Sequence, residues 1–271
     1  MQTGRLFDLE RDDFLKHEKK ILLREKRYII EQLFKVKRSE EYEALEEVFD
    51  KSTLLTLYNM IRRGTISEIY GAIKAGKESK VFWAKGPKDE EFAVKIYLTV
   101  ASEFRSGMII YIEGDPRFKN VKRDRRGLIY QWALKEFKNL KEAYDCNVRV
   151  PKPIEVENNV LVMEFIGRDG VPAPLIKDVE VKNPTRIYKM VLNDMKKLYR
   201  DAKLVHGDLS EYNIMYWKGL PYLIDLSQAV SLDHPLSHEF LKRDIRNINR
   251  FFRKLGVNVL EDGELYEWIV S

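Results

Sequence analysis

The spacing of apolar residues changes along this chain, and each change marks a different part. Between residues 11 and 47, where 20 positions are charged, apolar residues recur at Leu15, Leu22, Ile29 and Val36, with Phe14, Leu33 and Phe34 alongside. That period predicts one or more amphipathic helices, a solvated extension docking on the main domain. "STLLTLYNMIRRG" predicts a further helix, capped by Ser52 or Thr53 and stopped at Gly64. Beyond Gly64 the period shortens. "SEIYGAIKAGKESKVFWAKG" and "EEFAVKIYL" hold short β-branched and aromatic runs between Gly and polar turns, which predicts an antiparallel meander. "YQWALKEFKNLKEAYD" returns to helical spacing, and "VPKPIEVENNVLVMEFIG" predicts two strands turning at Asn158-Asn159. From Lys177 onward the chain reads mostly helical, interrupted by one mixed block, "LVHGDLSEYNIMYWKGLPYLIDLSQ".

The meander contains a stretch that resembles a phosphate-binding fingerprint. In "GAIKAGKES", residues 71–79, Gly71, Gly76 and Lys77 satisfy G-x-x-x-x-G-K, but Glu78 stands where Ser or Thr would hold Mg²⁺. A Walker loop also passes from a strand into a helix, whereas this one joins two predicted strands. The P-loop NTPase reading is rejected on both counts.

The chemistry lies downstream. His206-Gly207-Asp208 is followed five residues later by Asn213, and Asp225 comes after the apolar strand "PYLI". An Asp, then an Asn, then an Asp at a strand end suits Mg²⁺-dependent phosphoryl transfer. One carboxylate orients or deprotonates the attacking hydroxyl, while an amide oxygen and a second carboxylate hold metal against phosphates. The protein-kinase catalytic loop is written H-R-D-L-x-x-x-N and its later metal Asp opens D-F-G; here the chain reads H-G-D-L-S-E-Y-N and I-D-L-S-Q. Upstream, Ala93-Val94-Lys95 resembles the strand V-A-I-K, whose Lys grips the α- and β-phosphates. Lysine in a strand interior is rare enough to favour function by itself. Glu136, on the predicted helix "WALKEFKNL", is the candidate partner of that Lys, and "LVMEFIG" at 161–167 sits where a hinge would meet adenine. The Gly-rich stretch then reads as a hairpin whose backbone N–H groups and Ser79, with Val81 behind, cover the nucleotide. His206 is read as a structural histidine propping the loop.

Composition narrows the setting. The 271 residues are 44% hydrophobic and 34% charged, enough for a real core, with a net charge of +5 and a pI near 9.0. A mild basic excess permits an RNA or nucleotide partner without requiring one. One cysteine, Cys146, excludes an internal disulfide, and no run approaches the 18 apolar residues of a membrane span. With no apolar signal region in "MQTGRLFDLERDDF", the expectation is a soluble cytoplasmic protein without membrane contact.

Only 46 residues follow Asp225, too few for the activation segment, A-P-E element and further helices with which a conventional protein kinase holds a peptide. "GKESKVF", "AVKIY", "YIEGDPRF", "WALKEFKNL", "LVMEFIGRDGVPAPLIKDV", "LVHGDLSEYNI" and "LIDLSQAVSLDHP", spread over about residues 50–255, together resemble the RIO family of atypical protein kinases. "YIEGDPRF" and "IDLSQAV" point to its type 1 branch, archaeal-like. The resemblance implies an α+β, truncated two-lobed protein-kinase-like fold: a helical extension over 1–66, an N-lobe over 67–166 and a truncated, mostly helical C-lobe over 167–271. It implies a flexible basic loop at about 98–129, with six basic residues between Arg117 and Arg126 that could face ribosomal RNA. By the same match Asp208 is the catalytic carboxylate, Asn213 and Asp225 bind Mg²⁺ (Mn²⁺ being the alternative ion), and Lys95 binds phosphate. Glu164 and Ile166 supply hinge contacts beneath Met163 as gatekeeper. Leu134 stands where many relatives have Glu, which leaves Glu136 as the partner of Lys95.

Two functions are implied: a Ser/Thr protein kinase using ATP, and an ATP-gated assembly factor of the pre-ribosomal small subunit. In the second, Asp225 accepts the phosphoryl group itself. Aminoglycoside and choline kinases share the H-G-D-x4-N loop but need a larger helical C-terminal region, so a small-molecule kinase ranks last.

Overall fold

The computed structural model describes residues 49–99, 104–118 and 124–271. The helices expected over residues 11–47, and Lys119, Lys122 and Arg123 of the basic cluster, lie outside the described residues.

The first described helix, α1 (Lys51–Arg62), starts two or three residues earlier than expected because Asp50 is its cap: the Asp50 carboxylate accepts the Thr53 N–H at 2.8 Å. An ionised side-chain oxygen satisfies an orphan helix donor better than a hydroxyl at Ser52 or Thr53 would. Gly64, at φ +76°, ends the helix as expected. The stripe Leu54, Leu57 and Met60 packs on a five-stranded sheet, joined by Phe49, Ile66, Phe82, Val94 and Val162.

That sheet runs β1(Glu68–Ala75), β2(Ser79–Lys85), β3(Glu91–Tyr97), β4(Pro153–Glu157) and β5(Val160–Glu164), in spatial order β1-β2-β3-β5-β4 and antiparallel throughout. Asn158, at φ +53°, makes the β4–β5 turn; its amide donates to Thr56 Oγ1, and the Asn159 amide donates to Thr53 Oγ1, fixing α1 to that turn.

The segment between β3 and the next long helix includes regular structure among its described residues. It contains α2 (Phe104–Ile112) and a 3-10 turn at Pro116–Phe118 before α3 (Arg125–Asp145), capped by Asp124. The reason is its apolar content: Met108, Ile112 and Phe118 are buried with Tyr97, Leu128, Ile129 and Trp132. Gly114, at φ +94°, lets this segment meet the other lobe, since a Cβ there would lie 2.7 Å from Pro235 Cδ. The Leu236 N–H donates to His234 Nδ1, so Nε2–H of the same ring is free to donate to the Ile110 carbonyl at 2.9 Å.

After β5 comes a short hairpin, β6(Gly167–Arg168) with β7(Val171–Pro172), held to the sheet by Glu91. The Glu91 carboxylate accepts the N–H groups of Asp169 (2.9 Å) and Gly170 (3.1 Å) and the Trp83 indole N–H (3.0 Å). The C-terminal lobe follows: α4(Pro184–Arg200), β8(Leu204–Val205), β9(Ile214–Trp217), β10(Leu220–Leu223), a 3-10 turn at Leu226–Gln228, β11(Val230–Ser231), α5(Ser237–Lys254) and α6(Asp262–Val270). β9 pairs with β10 and β8 with β11. Two helices after Asp225 match the short C-terminal lobe that the sequence predicts.

Candidate active site

A cleft of about 460 Å³ lies between the lobes, lined by Gly76, Ser79, Val81, Lys95, Glu136, Met163, Glu164, Ile166 and Asp225 among others. Every cofactor-contacting residue expected from sequence is therefore on its wall. Ile73 and Ala93 from the sheet and Leu175, Met215 and Ile224 from the other lobe add apolar surface that the sequence did not single out. Such a largely apolar slot with a few fixed polar groups suits a flat heterocycle.

Lys95 sits in mid-strand, with Val81 and Leu161 as its register neighbours. It is buried, and its Nζ donates to both Glu136 oxygens (2.8 and 3.0 Å) and to Asp225 Oδ1 (3.0 Å). Tyr97, two residues along the strand and so on the same face, donates its hydroxyl to Glu136 Oε2. Burial works against the charge on Lys95, yet the carboxylates of Asp225 and Glu136 outweigh it and hold its pKa above the ordinary lysine value. Asp225 shows the complement: burial opposes its charge, but Lys95 and the Ser227 hydroxyl, which donates at 2.7 Å, keep it well below the usual carboxylate range.

Asp225 adopts φ 62°, ψ 63° between β10 and the 3-10 turn. A non-glycine residue in the left-handed region is uncommon and persists where surrounding contacts hold it. Asn213 lies beside it, because the Ile224 N–H donates to the Asn213 carbonyl at 3.0 Å. The Asn213 side-chain N–H₂ donates to the Asp208 carbonyl (2.8 Å) and to Asp208 Oδ2 (3.3 Å), which leaves the amide oxygen available as a metal ligand. One carboxylate and one amide oxygen are a donor set that fits Mg²⁺ completed by phosphates and water. No group of three or more His, Cys, Asp or Glu suited to a metal is found among the described residues.

Asp208 and Asn213 stand outside the cavity wall proper. Burial raises the Asp208 pKa, with Arg243 opposing and Asp225 adding to the rise. Its loop is held through backbone. The Asp244 carboxylate, buried on α5, accepts the N–H groups of Gly207 and Leu209, each at 2.8 Å, and Arg243 donates to the Gly207 carbonyl. Gly207, at φ +78°, has no room for a side chain: a Cβ would lie 2.9 Å from the Gln228 carbonyl oxygen. His206 is buried against the Ile224 carbonyl (3.2 Å), and burial lowers its pKa to about 4. It is neutral near pH 7 and shapes the loop, as the sequence reading holds.

Several residues of this machinery were not singled out from sequence: Tyr97, Lys135, Asn139, Ser227, Arg243 and Asp244. A signal existed for some. Asp244 lies on the apolar stripe of α5 with Phe240, Leu241, Ile245 and Ile248, and Lys135 and Asn139 share the buried face of α3 with Trp132 and Leu140. A polar residue on a core-facing stripe needs a partner and so announces one. Glu78, noted only as a mismatch to the Walker pattern, lines the cleft; burial raises its pKa, with the charge of Asp225 adding to the rise. Of the basic cluster, Arg117 is spent on Asp115 (2.7 Å) and Glu142 (2.8 Å), and Arg126 on Asp50 (3.0 Å).

Comparison with known proteins identifies the family and the fold. A family profile described as the RIO domain matches residues 80–265. The RIO-type serine/threonine-protein kinase Rio1 of Haloferax volcanii is 44% identical over 238 residues, covering 88% of this chain and 81% of its own length. Rio1 of Methanocaldococcus jannaschii is 40% identical over 265 residues, covering 98% and 85%. The human serine/threonine-protein kinase RIO1 is 39% identical, but the chain spans only 43% of its length. Among solved structures, the Rio2 kinase–ADP/Mg²⁺–phosphoaspartate complex of Chaetomium thermophilum superposes with a TM-score of 0.62 at 25% identity, over 80% of this chain and 65% of that one.

Proposed function

The chain belongs to the RIO domain family, and from that premise we propose how its cleft transfers the γ-phosphoryl group of ATP. It is an ATP- and Mg²⁺-dependent phosphotransferase of the serine/threonine-protein kinase class. The observation that carries the residue assignment is the ion-paired set Lys95–Glu136–Asp225, with Asn213 and Asp208 hydrogen-bonded to each other at its edge.

In this assignment the adenine lies between the apolar walls. The Glu164 carbonyl and the Ile166 N–H face its edge, since the Glu164 N–H already serves Lys152 and the Ile166 carbonyl already serves Ala173. Met163 closes the back, and the Gly76–Ser79 turn and Val81 cover the phosphates. Lys95, released in part from Asp225, binds the α- and β-phosphates while Glu136 keeps it aimed. Asn213 and Asp225 would hold Mg²⁺, which neutralises phosphate charge when bound. Asp208 accepts a hydrogen bond from the substrate hydroxyl and orients it toward the γ-phosphorus; its raised pKa makes it a better proton acceptor than an ordinary carboxylate.

The second reading is an ATP-gated factor acting on the pre-ribosomal small subunit in the cytoplasm. An Asp225 oxygen attacks the γ-phosphorus, ADP leaves, and water later hydrolyses the acyl phosphate. What favours it is the phosphoaspartate in the Rio2 complex. No helix among the described residues is long and apolar enough to cross a membrane.

Single-turnover incubation with Mg²⁺ and γ-labelled ATP separates the two. Label on the protein that hydroxylamine removes, and that Asp225→Ala abolishes, is an acyl phosphate on Asp225 and supports the hydrolytic cycle. Hydroxylamine-stable phosphoserine supports protein phosphorylation. ATP bound with neither transfer nor hydrolysis would refute both.

A further inference from the structure

Lys135 precedes the ion-pair glutamate on α3 and, unlike Glu136, is not part of the cleft wall. Its side chain is wholly buried, although long cationic side chains almost never are unless paired. Its Nζ donates to the Ser227 carbonyl at 3.0 Å and to the Ala229 carbonyl. One helical turn on, Asn139 donates to the Leu226 carbonyl at 2.7 Å and also to the Ala229 carbonyl at 2.9 Å. All three carbonyls belong to the turn that follows the metal-site residue Asp225.

We infer that Lys135 and Asn139 are positioning residues. They fasten the N-lobe helix carrying Glu136 to the C-lobe turn carrying Asp225, so that the two acidic partners of Lys95 move as one body. The inference rests on the phosphotransfer reading for its catalytic consequence, but the coupling itself is a property of the fold.

Three observations converge on it. The first is position: Glu136, the residue between the two fasteners, meets Lys95, and Lys95 meets Asp225, so the loop Lys95–Glu136–α3–Lys135–turn–Asp225–Lys95 is closed. When Lys95 turns to the phosphates and its contact with Asp225 loosens, the Lys135 and Asn139 bonds still join the helix of Glu136 to the turn after Asp225. The second is the backbone of Asp225, whose left-handed conformation needs the following turn to be held. The third is chemistry: a Leu or Met would fill the same space, so a lysine with only backbone acceptors within hydrogen-bond reach is there for its donors. The charged groups that act on it are Asp115 and Glu142, attractive, and Arg117, repulsive, and its ammonium sits 5.5 Å from the Trp132 ring.

In conventional kinases the corresponding helix is set by an activation segment and its phosphorylation. Here the chain passes from Asp225 through a 3-10 turn directly into β11, and the fasteners take over that task without a switch.

The test uses Lys135→Met, which keeps the stem and removes the donors, and Asn139→Ala. Hydrogen exchange of the nucleotide-free protein is followed at residues 226–230, with α4 and α6 as internal controls. In parallel the Mg²⁺ concentration giving half-maximal ATP turnover is measured. Expected is faster exchange confined to 226–230 and a Mg²⁺ requirement raised roughly 10-fold, the usual scale for residues that orient a metal ligand. Unchanged exchange at 226–230, or exchange raised equally in α4 and α6, would overturn the coupling. An unshifted Mg²⁺ requirement in a variant whose exchange is raised would overturn its role in positioning Asp225. If Lys135→Met does not fold, Asn139→Ala decides by the same readings. A wild-type protein without Mg²⁺-dependent turnover would defeat the functional reading alone, because the exchange measurement needs no activity.

Discussion

The two aspartates of the cleft are held in opposite ways. Asp225 is gripped by its side chain: Lys95 and Ser227 both donate to one of its oxygens, and its acidity is strengthened accordingly. Asp208 is gripped by its neighbours' backbone, through Asp244 and Arg243, while its own carboxylate takes a single long hydrogen bond from Asn213 and stays weaker as an acid. A group that must hold a cation benefits from being ionised and immobile. A group that must receive a substrate hydroxyl needs a fixed origin and an uncommitted oxygen. The difference teaches how surroundings alone give one residue type two acidities and two degrees of freedom, which is what the two proposed roles require.

The sharpest break of this contrast is Asp208→Ala, which should lower phosphotransfer by about 10³-fold, within the range for a positioned general base, while Mg·ATP affinity stays near wild type. Steady-state turnover beside calorimetric titration with Mg·ATP checks it, and undiminished turnover would remove Asp208 from the mechanism. Asp225→Ala should act the other way round, weakening nucleotide binding by roughly 10- to 100-fold in Mg²⁺ with little change in EDTA. Equal affinity of the variant and wild type in Mg²⁺ would count against a metal role.

Asp244→Ala attacks the backbone grip on Asp208. Two buried N–H groups lose their acceptor, at a cost of about 1–3 kcal/mol each at most, read by urea denaturation. Turnover should fall more than nucleotide affinity; an equal fall in both would mean that Asp244 supports the lobe rather than the loop.

The smallest effect concerns His206. Its folded pKa of about 4 lies below the unfolded value, so the unfolded chain binds the extra proton first. Stability is full above about pH 6.5 and is lost as pH falls toward 4, with about 2 kcal/mol going between pH 7 and 5. Replacing the histidine by glutamine should flatten that part of the pH–stability curve relative to wild type. An unchanged slope would show that other groups set it.

What was legible in the sequence was what local chemistry compels. Asp208, Asn213 and Asp225 lie within 18 residues, and Lys95 stands out as a cation in an apolar strand. The antiparallel meander and the Asn158 turn follow from a two-residue period and a turn-forming pair. What stayed hidden acts over distance. Lys135 reaches carbonyls 92 and 94 residues away, and Asp244 reaches back 37 residues to Gly207, so neither partner is visible in its own segment. The stretch around Met108 and Phe118 was read by its charges, and its apolar residues found a core made by Tyr97 and α3 that no local period announces. Ser52 and Thr53, themselves good caps, draw the expected start of α1 two or three residues past its true cap, Asp50.

The clamp that Glu91 places on the β6–β7 hairpin has a use in measurement. Because Asp169 and Gly170 are tied to β3, and Gly170 packs so close to Trp83 that a Cβ would come within 2.9 Å of its ring, the hairpin tip moves with the five-stranded sheet. Val171 beside that tip and Tyr212, between Asp208 and Asn213, are 68% and 58% exposed, so both accept a spin label. Pulsed dipolar spectroscopy on that pair reads the distance between the sheet-bound hairpin and the Asp208–Asn213 loop, with the Lys135 fasteners intact or removed.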